Sequence, residues 1–300
     1  MNVLITGACG FLARELIRVL EERGHQLRLV DRADPATATV FIPGSHERAV
    51  LPLTTHWPFI KAEITDLDTM RHAMDGVEAV IHLAAAVSGL PERGLETMQT
   101  NVIGTYVVLD AARLAGVTRA LCASSINAFG TFYWRISQRP VVYPFLPLDE
   151  TVPPEPEDPY SLSKYVNEET CAAFARAYGL TTAALRFAGM WSAQQYESTL
   201  SKPLPPTTAW SNDLFHWAHV DDIVQGVYRA LEYAALPRFG VYTLSAADTR
   251  CPEPTQELVS RFQPYLVDTL TTPLSGRAAM VSIERARQTF GYEPQYRLGP

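Results

Sequence analysis

Short apolar runs alternate, over the first two thirds of the chain, with stretches in which apolar residues return every three or four positions. The runs predict strands near 2–6, 26–31, 58–63, 78–83, 118–123 and 181–186, and the helical spacing predicts helices at 11–23, 67–75, 92–115 and 160–178. Past residue 186 the alternation loosens, and a helix restarts in His219-Val220-Asp221-Asp222-Ile223-Val224, with Asp221 as its expected N-cap. A strand at 241–244 and helices near 254–262 and 282–290 complete the pattern. Strand and helix in strict alternation predict an α/β fold, a doubly wound parallel sheet covered on both faces. A smaller C-terminal subdomain accompanies it. The expected boundaries are 1–186, with 219–246 returning to the same body, and a second body from 187–218 and 247–300. Two long interruptions, 33–56 and 131–158, are long enough to be functional loops.

The first turn adds chemistry to this pattern. Val3-Leu4-Ile5 runs into Gly7-Ala8-Cys9-Gly10, with the small Ala13 three positions on, and the helical run from Phe11 follows. The first glycine suits a tight turn, the second lets backbone approach a pyrophosphate, and a small third residue lets helix and strand pack closely. The helix N-terminus then offers free N–H groups to phosphates. This is a Rossmann-type dinucleotide site. Asp31, at the tip of the second strand, can accept from ribose hydroxyls and repels a 2′-phosphate, so NAD is favoured over NADP. Arg32 beside it pulls the other way, since a guanidinium can pair with a phosphate.

Composition narrows the class. A 300-residue chain with 47% hydrophobic residues is expected to bury a large core. Its formal net charge of −7 argues against a nucleic-acid or anionic-membrane surface, leaving small molecules and copies of itself as expected partners. Cys9, Cys122, Cys171 and Cys251 are scattered without metal or redox spacing, so no metal is expected and free thiols fit a cytoplasmic protein. The sequence shows neither a signal-peptide pattern nor a bilayer-spanning apolar run.

The second half of a site comes from Tyr160 and Lys164, four apart and so on one helix face. An ammonium near a phenol favours the phenolate and lowers its pKa toward the range of a general base. Ser124 and Ser125 end an apolar strand, where open α/β sheets place their ligands. The aromatic segment Phe132-Tyr133-Trp134 reads equally as a lid or pocket wall and as packing under a loop.

In order along the chain stand TGACGFLA, Asp66 in EITDLD, HLAA at 82–85, Asn101 in NVIGT, SSINAFG at 124–130, DPYSLSK at 158–164, LRFAGMW at 185–191 and HVDDIV at 219–224. The ordered set resembles the extended short-chain dehydrogenase/reductase superfamily, also described as the NAD-dependent epimerase/dehydratase family. The resemblance implies a catalytic set of Ser125, Tyr160 and Lys164. Tyr160 would be the general base, Lys164 would bind the nicotinamide ribose, and Ser125 would hydrogen-bond the reacting oxygen. Around them it implies cofactor contacts from Gly7, Cys9, Gly10, Phe11, Leu12, Asp31, Arg32, Asp66, Leu67, Leu83, Ala84, Ala85, Asn101 and Ser124. Asn101 equally suits a buried residue satisfying local backbone. Substrate contacts are implied for Val87, Ser125, Asn127, Phe132, Gly189 and Trp191. The family commonly dimerises through helices corresponding to 92–115 and 160–178.

The sequence also departs from the family. Gly189-Met190-Trp191 stand where sugar-nucleotide epimerases carry an asparagine and a VYG-like segment, and Lys202 is the one cation between Arg186 and Arg229. A diphosphate ligand therefore lacks its usual partners. The expected function is NAD-dependent hydride transfer at a secondary alcohol of a sugar or polyol-like substrate. The alternatives are a sugar or sugar-nucleotide epimerase or dehydratase with tightly bound NAD, and a non-catalytic dinucleotide-binding sensor.

Overall fold

The computed structural model describes residues 1–43, 48–130 and 135–299. The first half runs β1 (Asn2–Thr6), α1 (Phe11–Glu22), β2 (Gln26–Asp31), β3 (Thr39–Phe41), β4 (Arg48–Val50), β5 (Phe59–Lys61), α2 (Leu67–Ala73) and β6 (Ala79–His82). Then come α3 (Gly94–Met98), α4 (Gly104–Leu114), β7 (Arg119–Ser125), α5 (Pro159–Tyr178) and β8 (Thr181–Phe187). The last part holds β9 (Met190–Trp191), α6 (Ala193–Leu200), β10 (Ala218–His219), α7 (Val220–Glu232), β11 (Phe239–Leu244), α8 (Thr255–Phe262) and α9 (Glu284–Phe290).

Seven strands form one sheet in the order β11-β8-β7-β6-β1-β2-β5, every pairing parallel. The order reverses direction at β1, so the carboxyl ends of β1 and β6 border a crevice. The strands read as continuous apolar runs because both faces are covered. Side-chain parity then assigns each residue to a layer. Val3, Ile5, Leu29, Ile81 and Leu121 face one core together with Leu16 and Leu20 of α1 and Ile223 and Val227 of α7. Leu4, Val30, Val80, Ala120 and Cys122 face the other, against Met70 of α2, Val108 and Leu109 of α4, and Cys171 and Phe174 of α5.

Three segments differ from the sequence pattern. The helix expected over 92–115 is divided by a π-helical turn at Gln99–Ile103, which holds Asn101 fully buried. At Gly104 a Cβ would sit 2.4 Å from Ile64 Cδ1, so a side chain there would force the Ile64 side chain to move. The interruption at 33–56 contains the antiparallel pair β3–β4, too short to show a period. The N-cap of α7 is His219, whose Nδ1 accepts the Asp221 N–H at 3.2 Å, and not Asp221. Asp221 sits in the first turn and accepts the Tyr296 hydroxyl at 2.8 Å instead. Among the described residues, no helix is long and apolar enough to cross a membrane.

The interruption at 131–158 is tied down where it is described. Leu146 bridges Leu270 and Leu148 bridges Val281, so this loop packs against the C-terminal segment. Tyr143, Leu146 and Leu148 join the same core as Leu258 and Val259 of α8 and Phe290 of α9.

Candidate active site

The glycine turn is held by geometry that a side chain would destroy. Gly7 has φ +71°, and a Cβ there would lie 2.7 Å from the Ala84 nitrogen. Gly10 donates back to the Gly7 carbonyl at 2.9 Å and is the N-cap of α1 without a side chain of its own, which leaves the first N–H groups of the helix to a ligand. Ala13 is buried at the α1–sheet contact, where a small residue is required. Asp31 braces the turn: its carboxylate accepts from Cys9 N at 2.9 Å and from Ala33 N at 2.8 Å. A carboxylate has about four acceptor sites, so two remain for ribose hydroxyls.

Gly7, Gly10, Asp31, Arg32, Leu83, Ala84 and Ala85 line one cleft of about 160 Å³. Ala62, Glu63, Ile64 and Thr100 complete it. Glu63 and Ile64 lie inside the EITDLD motif and Ala62 and Thr100 beside motifs, yet nothing in their spacing marks them as lining. A strand-end carboxylate, a side-chain-free helix N-terminus and an apolar far wall at Ile64 fit the adenosine and pyrophosphate of a dinucleotide. Cys9 is buried and touches the site through its backbone. Phe11 and Leu12 begin α1 and pack on the core. Asp66 and Leu67 are not among the cleft-lining residues. Asp66 caps α2, accepting from Thr69 N at 3.1 Å and Thr69 Oγ1 at 2.6 Å.

The catalytic candidates meet at the carboxyl end of β7. Pro159 sits in the first turn of α5, and Asp158 caps it, accepting from Tyr160 N and Ser161 N, each at 2.9 Å. Tyr160, 8% exposed, is hydrogen-bonded to Ser125, which also accepts Asn127 N at 3.1 Å. One turn on, Lys164 places Nζ 5.6 Å from the Tyr160 ring centroid and donates to the Ala123 carbonyl at 2.8 Å. The electrostatics differ from the simple expectation. Burial pushes the Tyr160 phenol up to about 12, and the Ser125 hydrogen bond only partly opposes it. Burial likewise draws Lys164 down to about 8. Desolvation is the largest cause for both, because both groups lie in the protein interior.

Asn101 holds this pair in place. Its Oδ1 accepts from Ala86 N at 2.7 Å, and its Nδ2 donates to Ala86 O at 3.0 Å and to Ser163 Oγ at 2.8 Å. Ser163 Oγ in turn donates to the Tyr160 carbonyl at 2.7 Å. Asn101 therefore clamps the loop after β6 onto the first turn of α5. Ser124 is buried and donates to Glu168 Oε1 at 2.6 Å. Of the residues expected on the substrate side, Val87 is 68% exposed and Asn127 is buried with Oδ1 lacking a hydrogen-bond partner among the described residues. Gly189 N donates to His216 Nδ1 at 3.0 Å, and Trp191 packs 5.0 Å from Trp217, centroid to centroid. Phe132 lies outside the described residues, as do Tyr133 and Trp134. His216 escaped the sequence reading because its contact spans 27 positions with no motif between.

Two buried histidines make the fold sensitive to acid. His82, between Thr6 Oγ1 at 2.7 Å and Thr105 Oγ1 at 3.0 Å, and His216 are each drawn by burial down to about 3. The unfolded chain binds these protons below about pH 6.5 and the native chain does not, so stability falls as pH drops through that window. Each histidine costs about 2 kcal/mol between pH 7 and 5. Asp222, raised by burial to about 6, takes up a proton in the folded state and offsets about 1 kcal/mol of it. Urea titrations at pH 7 and 5 are expected to differ by about 3 kcal/mol. Equal stability at both would refute the neutral histidines.

A model of the NAD dependent epimerase/dehydratase family matches residues 3–244. The chain is 27% identical over 244 residues to the uronate dehydrogenase of Pseudomonas syringae pv. tomato, covering 81% of this chain and 74% of that protein. Its fold matches UDP-glucose 4-epimerase of Thermotoga maritima, solved with UDP-glucose, at a TM-score of 0.68 and 23% identity over 99% of this chain and 95% of that one. It also matches a short-chain dehydrogenase/reductase superfamily protein of Agrobacterium tumefaciens with bound NAD, at a TM-score of 0.69 and 22% identity over 99% and 94%. With the glycine turn, the parallel sheet and a match over most of its length, the chain belongs to the NAD dependent epimerase/dehydratase family.

Proposed function

We propose that this protein is an NAD-dependent oxidoreductase acting at a secondary alcohol of a sugar or polyol-like substrate. The observation that carries the reading is the convergence of Ser125, Tyr160 and Lys164 at the end of β7. The bound dinucleotide would rest on Gly7 and Gly10 with its ribose at Asp31, and Lys164 would reach the second ribose; it supplies the hydride acceptor and one positive charge. Ser125 donates a hydrogen bond to the substrate oxygen. Tyr160 takes the hydroxyl proton as the carbon gives up its hydride, so the oxygen never holds a full negative charge. The base must be deprotonated, so the oxidation rate rises with pH along its titration. Burial pushes the phenol up to about 12 in the free protein, so the charge that lowers it toward the working range would have to arrive with the dinucleotide.

The uronate dehydrogenase relative makes uronates and other free sugar acids the first substrates to try. Incubation with NAD and a panel of uronates, free sugars, polyols and sugar nucleotides is expected to release NADH with a free sugar or sugar acid. Sugar product without NADH would favour an epimerase. NAD binding with no turnover on any of them would favour a sensor. Asp31→Ala is expected to narrow the preference for NAD over NADP by about tenfold, since one charge-assisted pair is worth about 1.5 kcal/mol. Wild-type protein that binds NADP more tightly than NAD would overturn the assignment of Asp31.

A homodimer belongs to the same proposal. Leu95 on α3 is 89% exposed, and Ile103, Tyr106 and Leu162, in the two helical segments expected to pair, are exposed as well. Sedimentation velocity is expected to show twice the chain mass.

A further inference from the structure

Tyr160, Lys164 and Glu168 follow one another at intervals of four along α5, and so share a face. Each is joined to one of the last three residues of β7. Tyr160 meets Ser125, Lys164 meets the Ala123 carbonyl, and Glu168 accepts the Ser124 hydroxyl at 2.6 Å. Glu168 is itself held by Arg186 of β8, whose Nε and Nη2 donate to its two oxygens at 2.8 and 2.7 Å. Both side chains are buried, at 3% and 2% exposure. Arg186 also lies over the Phe129 ring at 4.3 Å, just beyond Ser125.

We propose that Glu168 is a positioning residue for the Tyr160–Lys164 pair: pinned by Ser124 and Arg186, its carboxylate is the buried counter-charge that keeps the Lys164 amine an ammonium. A lysine taken out of water loses its proton unless an anion stands near it. The titratable and charged groups around Lys164 are few. On α5 they are Tyr160, Glu168 and Cys171; from β7 comes Cys122, and from β6 His82. His82 is held neutral by burial. The Cys171 thiol is pushed well above its ordinary range by its hydrogen bond with Cys122 and by burial, so it stays protonated. Burial draws Lys164 down to about 8, and Cys122 and then Glu168, the carboxylate of the set, oppose it. The bidentate pairing with Arg186 fixes where that charge sits.

The inference rests on the hydride-transfer reading for its purpose, yet its test does not need a substrate. The chain contains three lysines, Lys61, Lys164 and Lys202. Lys61 and Lys202 are exposed, so lysine labelled with carbon-13 at Cε gives a spectrum in which the Lys164 titration stands apart. Two variants are compared with wild type: Glu168→Gln, which keeps the shape, and Glu168→Leu/Arg186→Met, which removes both buried charges and protects the fold if the single variant unfolds. The Lys164 midpoint is expected to fall by roughly one pH unit in Glu168→Gln, and by less in the double variant, which removes the Arg186 charge as well. A midpoint unchanged in the double variant overturns the proposal, whatever the substrate screen finds. With a substrate from that screen in hand, kcat is expected to stay at least tenfold down in the double variant, with its pH profile displaced and NAD affinity unchanged. Full recovery of kcat and of the profile would mean that Glu168 is structural only.

Discussion

Tyr160→Phe is expected to lower kcat by about 10²- to 10⁴-fold, the range of a single general base. Its NAD affinity is expected to stay within a few-fold of wild type. The reason for this split lies in the site. The variant keeps the ring that Lys164 faces at 5.6 Å and keeps the Asp158 cap of α5, so the dinucleotide cleft is undisturbed. What disappears is the hydroxyl that shares a hydrogen bond with Ser125. Stability should change by only about 1 kcal/mol, the net worth of one buried hydrogen bond. Stopped-flow measurement of NADH release, paired with an NAD titration, separates the two effects. Undiminished turnover would remove Tyr160 from the mechanism, and a parallel loss of NAD binding would make it a binding residue.

The largest stability effect is expected at Arg186. Arg186→Met strips the Glu168 carboxylate of both guanidinium hydrogen bonds and leaves it buried with the Ser124 hydroxyl. Removing one member of a buried ion pair costs about 3–5 kcal/mol, because the other charge keeps its desolvation penalty without its partner. Methionine retains much of the apolar contact with Phe129, so the loss reports charge rather than volume. The double variant Glu168→Leu/Arg186→Met should recover most of it, since neither charge is then left stranded. Urea unfolding at pH 7 measures both. A loss below about 1 kcal/mol in the single variant, the worth of an exposed pair, would show that water reaches the site.

The parts of the site that could be read along the chain are those whose chemistry is local. Gly7 and Gly10 are three apart and close their own turn, and Asp31 follows its strand directly. Tyr160 and Lys164 share a helix face by spacing, and Asp158 stands before the helix it caps. The remainder depends on partners far away in sequence. Ser124 reaches Glu168 across 44 positions and Asn101 reaches Ser163 across 62. No periodicity links such residues, so neither the Ser124–Glu168 bond nor the Asn101–Ser163 bond was legible along the chain. His219 displaced Asp221 as a cap because its ring is held at that turn by Tyr296, stacked at 3.5 Å.

Hydrophobic period and turn chemistry are properties of neighbouring residues, and they sufficed for the strand–helix order, the parallel sheet and the glycine turn. Burial is a property of the whole molecule. It sets the Tyr160 phenol near 12 and Lys164 near 8, where spacing alone pointed to a lowered phenol. It also decides that Glu168 and Arg186 face each other in the interior rather than water. The desolvation of a charged group depends on every element packed around it, and that information exists only once α5 lies against β7 and β8.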